Sequence, residues 1–396
     1  MRDKDTRKAN IVLLAAIGIN ILNGILYTWS AISKALISDW GWTSKQASLP
    51  YTVYSIFLVL SMVVFGSLQD RKGPKLIATI GSIFLGVGLI LSGLTQNPKI
   101  FVITIGMFIG LGVGMHTITT APSAIKWFDP EKKGVITGIV SAGVGISSII
   151  YAPLGSFLLL KVGISKTFIY LGLIILIFTT LLSQLLATPS EKQIVSDSDL
   201  KDHVDYNWRF MIKDLKFYKI WFMMAFAVSS GLMIIGHIST IAKIQANWEN
   251  AFVLVMILSV FNTIGRIAGG ALSDKIGRIN LMRATFILQG LNMAFFYSYM
   301  TVPTLILGVA VGGFCYGSIF SVFPATIADY YGPKNFGSNY GIMFTAWGLG
   351  GVIGPMTAAF VFDASGNYNM AYIIALGLLM VSLLITFSFR KEEQGD

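Results

Sequence analysis

Apolar stretches long enough to cross a bilayer recur along this chain, separated by short polar turns. A helix needs roughly 20 apolar residues to span about 30 Å of hydrocarbon. Stretches near 10–32, 45–68, 75–94, 98–121, 134–157 and 164–187 reach that length, as do 218–241, 250–272, 282–300, 303–326, 337–361 and 370–389. The pattern predicts an all-α membrane protein with twelve transmembrane helices. Many of the stretches hold Gly or Pro, which membrane helices tolerate better than soluble ones. Segment 188–217 breaks the pattern, with charges of both signs and little apolar sequence. It reads as a cytoplasmic linker between two six-helix bundles, 1–187 and 218–396, with a short amphipathic helix around Trp208 to Lys216.

Composition agrees. The 396 residues are 54% hydrophobic and 12% charged, against about 25% charged in a soluble protein. A net charge of +10 would suggest a nucleic-acid partner in a soluble chain, but here topology accounts for it. With the N-terminus inside, only Lys34, Lys45, Lys99, Lys161, Lys166 and Lys243 fall in outer loops, and Arg266 lies within a span. The remaining basic residues, among them Arg2, Lys4, Lys132, Lys133, Arg283, Arg390 and Lys391, face the cytoplasm, as the positive-inside bias requires. Both termini are therefore expected inside a cell membrane crossed many times. The apolar run after the basic Met1–Asn10 is too long for a signal-peptide core, so no cleavable signal is expected. The single Cys315 gives no disulfide and no metal spacing; among Gly312, Gly313 and Gly317 it reads as a packing residue. No nucleophile–base pair, metal cluster or phosphate-binding loop appears. An enzyme, an ATP-driven pump and a bound cofactor or metal are not expected.

The halves repeat. Gly66, Leu68, Asp70 and Gly73 match Gly270, Leu272, Asp274 and Gly277 at an offset of 204. Pro130, Gly134, Gly138 and Gly145 match Pro333, Gly337, Gly341 and Gly348 at 203. Six helices per repeat is an even number, so the repeats run parallel, as in carriers whose bundles rock around a central site.

The first copy, Gly66-Ser-Leu68-Gln-Asp70-Arg71-Lys-Gly73, closely resembles the loop motif Gly-x-x-x-Asp-Arg-x-Gly-Arg of the major facilitator superfamily. The resemblance covers the whole chain, because span count, linker and both copies agree. It implies that Asp70 and Arg71 clasp the end of a helix from the other half and stabilise an outward-open state. Gly270-Ala-Leu272-Ser-Asp274-Lys275-Ile-Gly277-Arg278 would form the second clasp. Pro74 departs from the pattern where a basic residue is usual, and Lys275 replaces Arg. A solvated basic loop is the plainer alternative.

One charge lies deep in a span. Arg266 precedes Asp274 by eight residues, so about 12 Å from the cytoplasmic edge at 1.5 Å per residue. Insertion scales charge about 2.5–3.5 kcal/mol for a central Arg. The nineteen acidic residues all fall in predicted loops, tails or span ends. An anionic substrate held by the planar guanidinium fork would offset the cost; snorkelling, or bonds to backbone carbonyls alone, would be the alternative. Asn262, one turn earlier on the same face, could orient the guanidinium, bond substrate or simply pack. The repeat puts Met62 opposite Arg266, so the charge is in one half only.

Several stretches resemble the oxalate/formate antiporters and the related monocarboxylate transporters. They are Asn23-Gly24-Ile-Leu-Tyr27-Thr-Trp29, Lys126-Trp127-Phe128-Asp129-Pro130, Asn262-Thr-Ile-Gly265-Arg266, Cys315-Tyr316 to Asp329-Tyr330-Tyr331-Gly332, and Asn339-Tyr340-Gly341-Ile-Met-Phe344-Thr-Ala-Trp347-Gly348. The resemblance makes Arg266 the carboxylate ligand. In oxalate carriers the last string reads Thr-Ala-Lys-Gly, and that lysine holds a second carboxylate. Trp347 stands there instead, which favours one carboxylate with an apolar tail. Animal monocarboxylate transporters have an Asp, implicated in proton coupling, where this chain has Asn262.

Tyr316 and Phe320, then Phe344 and Trp347, are each spaced about one turn apart and could cover such a tail; packing or lipid contact is the alternative. His116 could titrate, bond substrate or serve as a hydrogen-bonded helix contact. Asn20 and Asn23 could line the cavity, with Tyr27 as an outer gate. The expectation is a monomeric secondary carrier of lactate, pyruvate or formate, working by alternating access with proton symport. Carboxylate exchange and a non-transporting anion sensor are the rival readings.

Overall fold

A computed structural model of the protein describes residues 3–189, 205–248 and 252–389. Among them the regular structure is helical. Eleven helices are long and apolar enough to cross a membrane: Asp5–Ile25, Ser44–Lys72, Pro74–Gly93, Pro98–Ile125, Pro130–Tyr151, Pro153–Ser183, Leu215–Ala246, Val253–Ile276, Val302–Tyr331, Phe336–Ser365 and Asn369–Thr386. The stretch predicted at 282–300 forms a helix of 19 residues, Arg278–Phe296. It carries Arg278, Asn280, Arg283, Gln289 and Asn292 among its apolar residues.

The helices are α1 (Asp3–Leu22), α2 (Trp29–Trp40), α3 (Ser44–Lys72), α4 (Pro74–Gly93), α5 (Pro98–Phe101), α6 (Gly110–Ile125), α7 (Lys133–Ser183, turned at Gly163), α8 (Trp208–Met211), α9 (Leu215–Ala246), α10 (Phe252–Ile276), α11 (Arg278–Phe296), α12 (Val302–Tyr331), α13 (Phe336–Met343), α14 (Thr345–Ser365) and α15 (Asn369–Thr386). Thr43 starts α3 with a capping box: its hydroxyl accepts from the Gln46 amide and the Gln46 side chain accepts from the Thr43 amide. Three spans read as continuous are interrupted, the fourth by a π-helical stretch, Val102–Ile109, between α5 and α6. The first helix gives way at Asn23 to a 3₁₀ stretch, Asn23–Thr28. The eleventh breaks at Phe344, between α13 and α14. The linker helix expected near 208–216 is the single turn α8, and α9 begins at Leu215. Most of the linker, together with Arg2, Arg390 and Lys391, lies outside the described residues.

The repeat glycines that follow Asp70 and Asp274 have positive φ, +83° at Gly73 and +87° at Gly277. Each closes one helix and opens the next in a single residue, a conformation glycine adopts without the penalty of a side chain.

The chain divides into two compact units. Unit 1 gathers Met1–Asp129, Gly143–Trp208 and Tyr330–Phe344; unit 2 gathers Pro130–Ala142, Arg209–Asp329 and Thr345–Asp396. Two segments thus count with the other sequence half: 130–142 with unit 2 and 330–344 with unit 1. Close helix contact inside each unit uses small residues. A methyl on Gly134 or Gly138 would meet the backbone of Gly270 or Arg266, and one on Gly337 or Gly341 would meet that of Gly66 or Met62.

Candidate functional site

In unit 2, α10 carries Arg266, which is 3% exposed. Its Nε donates to Asn262 Oδ1 at 2.9 Å, one turn back on the same helix. Nη1 donates to the Ser141 carbonyl at 3.1 Å, in the first turns of α7. The guanidinium lies over the Phe320 ring, 4.4 Å from its centre, a cation–π arrangement that strengthens when water is excluded. Each of these three partners is neutral. They orient the fork.

The aromatic wall continues from there. Phe320 meets Tyr316 edge to face at 5.0 Å, and Trp347 Nε1 donates to the Tyr316 hydroxyl at 3.1 Å. Unit 2 therefore joins five of the sequence candidates in one chain of contacts: Asn262, Arg266, Phe320, Tyr316 and Trp347. Phe344, three residues before Trp347, belongs to unit 1 and packs edge-on against Tyr340 at 5.7 Å.

Unit 1 holds the other candidates. His116 and Asn23 are buried and bonded to each other, His116 Nδ1 lying 2.6 Å from Asn23 Oδ1. Asn20 is also buried. The Tyr27 side chain lies outside the described residues. His237, in unit 2, meets the Tyr368 hydroxyl at 3.0 Å.

The two loop motifs act as helix caps. Asp70 accepts from the amides of Gly337 and Ser338 at 2.9 and 2.8 Å. Asp274 accepts from those of Gly134 and Val135 at 2.8 and 2.7 Å. Each carboxylate sits at the start of a helix, where unpaired N–H groups and the dipole favour negative charge. Arg278 donates to Asp274 at 2.5 Å and to Asp329 at 2.8 Å, and Lys133 pairs with Asp329 at 2.9 Å. Arg71 and Lys275, named by the motif, are exposed. The cation beside Asp70 is instead Lys126; burial holds its ammonium below the usual lysine range, with Asp70 and then Asp205 opposing the shift. Asp205 accepts from the Lys334 amide at 3.0 Å and the Asn339 amide nitrogen donates to the Tyr206 carbonyl at 3.0 Å, so the end of the linker is tied to the start of α13. Sequence reasoning missed Lys126, Asp205 and the Ser141 carbonyl. The departure at Pro74 was the available signal for Lys126.

Among the described residues no group of three or more His, Cys, Asp or Glu could hold a metal ion.

The family model of the Major Facilitator Superfamily matches residues 11–298 and 254–396. An uncharacterized MFS-type transporter of Escherichia coli, YhjX, is 27% identical over 86% of this chain and 85% of its own length. The oxalate:formate antiporter of Oxalobacter formigenes is 24% identical over 95% and 90%. Among solved structures, the fucose:proton symporter FucP of E. coli superposes with a TM-score of 0.75, at 14% identity, covering 97% of this chain and 100% of that one. The chain belongs to the Major Facilitator Superfamily and is a multi-pass membrane transporter, not an enzyme.

Proposed function

We propose that the protein is a secondary transporter of small monocarboxylates, of the lactate, pyruvate or formate type, in the cell membrane. The observation that carries this reading is the buried Arg266. Neutral groups fix its fork deep in a membrane helix, and aromatic rings adjoin it. A carboxylate matches that fork in shape and charge. Trp347 and Tyr316 offer apolar surface and a hydroxyl, which suits one carboxylate and a short tail.

In this reading Arg278–Phe296 is the twelfth crossing: 19 residues rise about 28 Å as a helix, close to the hydrocarbon thickness. The basic residues then leave both termini in the cytoplasm. Alternating access proceeds as the caps at Asp70 and Asp274 release and re-form, in a monomer of two six-helix bundles. Proton symport is favoured over exchange. Exchange of one carboxylate for another is the second reading, supported by the similarity to a protein named as an oxalate:formate antiporter.

The test is uptake of radiolabelled lactate, pyruvate and formate into proteoliposomes with and without an inward proton gradient. Gradient-stimulated uptake is expected. Arg266→Lys should lower it at least about a hundredfold, because a point charge cannot replace the fork. Absence of transport for every C1–C4 monocarboxylate, or full activity of Arg266→Lys, would sink the reading.

A further inference from the structure

Unit 1 contains a buried titratable side chain that the Arg266 site does not use. His116, on α6, has no exposed surface. Its Nδ1 faces Asn23 Oδ1 at 2.6 Å, where the first membrane helix turns to 3₁₀. Its Nε2 lies 3.0 Å from the Ala78 carbonyl and 3.0 Å from Ser82 Oγ, both on α4. Ser82 Oγ in turn reaches the Ala78 carbonyl at 2.9 Å and Ser183 Oγ at 3.2 Å, near the end of α7.

This shell satisfies the ring in both protonation states. In the neutral ring, Nδ1–H donates to Asn23 and Nε2 accepts the Ser82 hydroxyl proton. In the charged ring, Nε2–H donates to the Ala78 carbonyl. The Ser82 hydroxyl then turns to Ser183, whose own proton goes to the Thr179 carbonyl at 2.7 Å. No group loses its partner in the exchange, because a hydroxyl both donates and accepts. A histidine that only packs needs one such arrangement; this one has two.

Every group facing the ring is neutral: an amide from the first helix, a carbonyl and a hydroxyl from α4, and a second hydroxyl from α7 behind the first. The described charged residues of the packed elements lie at helix ends and turns: Asp5, Arg7 and Lys8 on α1, Lys45 and Asp70 to Lys72 on α3, Lys75 on α4, and Lys133 at the start and Lys161 and Lys166 beside the Gly163 turn of α7. The proton is therefore sensed against a neutral background, where an arriving anion weighs most.

A second, independent observation points to where that anion binds. Asn23 is 6% exposed, and its Nδ2 has no hydrogen-bond partner among the described residues. Its Oδ1 is taken by His116, so the amide is oriented with its N–H groups turned away from the ring. A buried donor is costly to leave unmet, and broken helices are where carriers place substrate and coupling-ion sites.

We propose that Asn23 Nδ2 binds an anion oxygen within unit 1 and that His116 carries the coupled proton behind it. This rests on the carrier function proposed above. An anion on Nδ2 polarises the amide, makes Oδ1 a stronger acceptor and favours the imidazolium. Loading the anion draws one proton from the open aqueous side onto Nε2; releasing the anion returns that proton to water. No covalent bond changes other than N–H.

The experiment uses the full-length protein and [¹⁴C]lactate. Proton uptake on lactate binding is read in detergent with a pH indicator; gradient-driven uptake and lactate exchange are read in proteoliposomes. Wild type should take up about one proton per lactate bound, and His116→Gln none, with the ratio of gradient-driven uptake to exchange falling about tenfold. Ser82→Ala removes a donor that serves only the neutral ring. The charged ring is then relatively favoured, and the pH midpoint of uptake should move up. Unchanged proton uptake in His116→Gln overturns the proposal, and so does a midpoint in Ser82→Ala that stays or falls. If His116→Gln does not fold, Ser82→Ala decides. Wild type that exchanges lactate but binds it without proton uptake removes this proposal and leaves the carrier standing. Wild type that moves no monocarboxylate removes the carrier reading itself.

Discussion

Two helix crossings in this chain use equivalent residues and end in different chemistry. In unit 1, Gly337 and Gly341 of α13 seat against α3 at Gly66 and Met62; in unit 2, Gly134 and Gly138 of α7 seat against α10 at Gly270 and Arg266. An aspartate from the crossed helix caps each glycine-bearing helix, Asp70 in one and Asp274 in the other. The cations differ. Pro74 stands where Arg278 stands in the repeat, and Lys126 stands where Asp329 stands. In unit 2 the cation comes from the residue after the turn glycine, and Asp329 balances it. In unit 1 proline removes that cation, and a lysine at the position of Asp329 supplies it. The backbone cap is thus the common device, and the charge around it can come from either side. The same holds deeper in the crossing, where one scaffold accepts Met62 or Arg266, and only the side chain decides whether a guanidinium is buried there.

The comparison breaks most visibly at the aspartates. Asp274→Ala removes two backbone hydrogen bonds and one partner of a mostly buried ion pair, a loss of about 3–5 kcal/mol. Asp70→Ala also removes two backbone bonds, but Lys126 keeps Asp205 nearby, so about 2–3 kcal/mol is expected. Thermal unfolding in detergent should rank Asp274→Ala below Asp70→Ala, and both below wild type. Equal midpoints would show that the ion network of unit 2 adds nothing to the cap.

The constant offsets were readable because turn glycines, caps and helix-packing glycines are specified by backbone geometry, which leaves a residue-type signature. Asp70, Gly73, Gly134 and their partners in the repeat announced themselves that way. Which amides each aspartate would cap was not readable, since the capped residues lie far away in sequence. Arg71 was named by its motif, yet Lys126 is the cation beside Asp70, and Pro74 stands where the repeat has Arg278. Arg266 and Asn262 were legible as a polar pair at helical spacing in an apolar run. Phe320 beneath the guanidinium was only one aromatic among several. Apolar helices give span length clearly but rotation about the axis poorly, since every face is hydrophobic. The Ser141 carbonyl has no side-chain signal at all. The breaks at Asn23 and Phe344 have no proline at the break itself, and a period-based reading passes through them.

The paired glycines separate scaffold from site. Gly138→Ala and Gly341→Ala each push a methyl into the backbone of the crossed helix, and overpacking of that kind costs about 1–3 kcal/mol. Their stability losses should be alike. Their effects on transport should not, because Gly138 abuts the backbone of Arg266 and Gly341 that of Met62. On the carrier function proposed above, Gly138→Ala is expected to raise the KM for lactate about tenfold, equivalent to about 1.4 kcal/mol, with Gly341→Ala changing it much less. Matched KM values would show that the position of the Arg266 backbone does not set substrate affinity.

The smallest effect, and the sharpest test of charge exchange, is a double-mutant cycle at Pro74 and Lys126. Lys126→Asp places a carboxylate near Asp70 with no cation at position 74, and should destabilise unit 1. Pro74→Arg alone adds a cation beside Lys126 and should be neutral or mildly unfavourable. Together they copy the arrangement of Arg278 and Asp329, so the arginine should recover much of what the aspartate lost. Pairs in one ion network couple by about 0.5–3 kcal/mol, and about 1 kcal/mol of favourable coupling in detergent unfolding is expected. A coupling of zero would mean that the inverted charges at 126 and 329 arose independently of position 74. Lys126 would then be tuned to Asp205 and the end of the linker, not to the missing arginine.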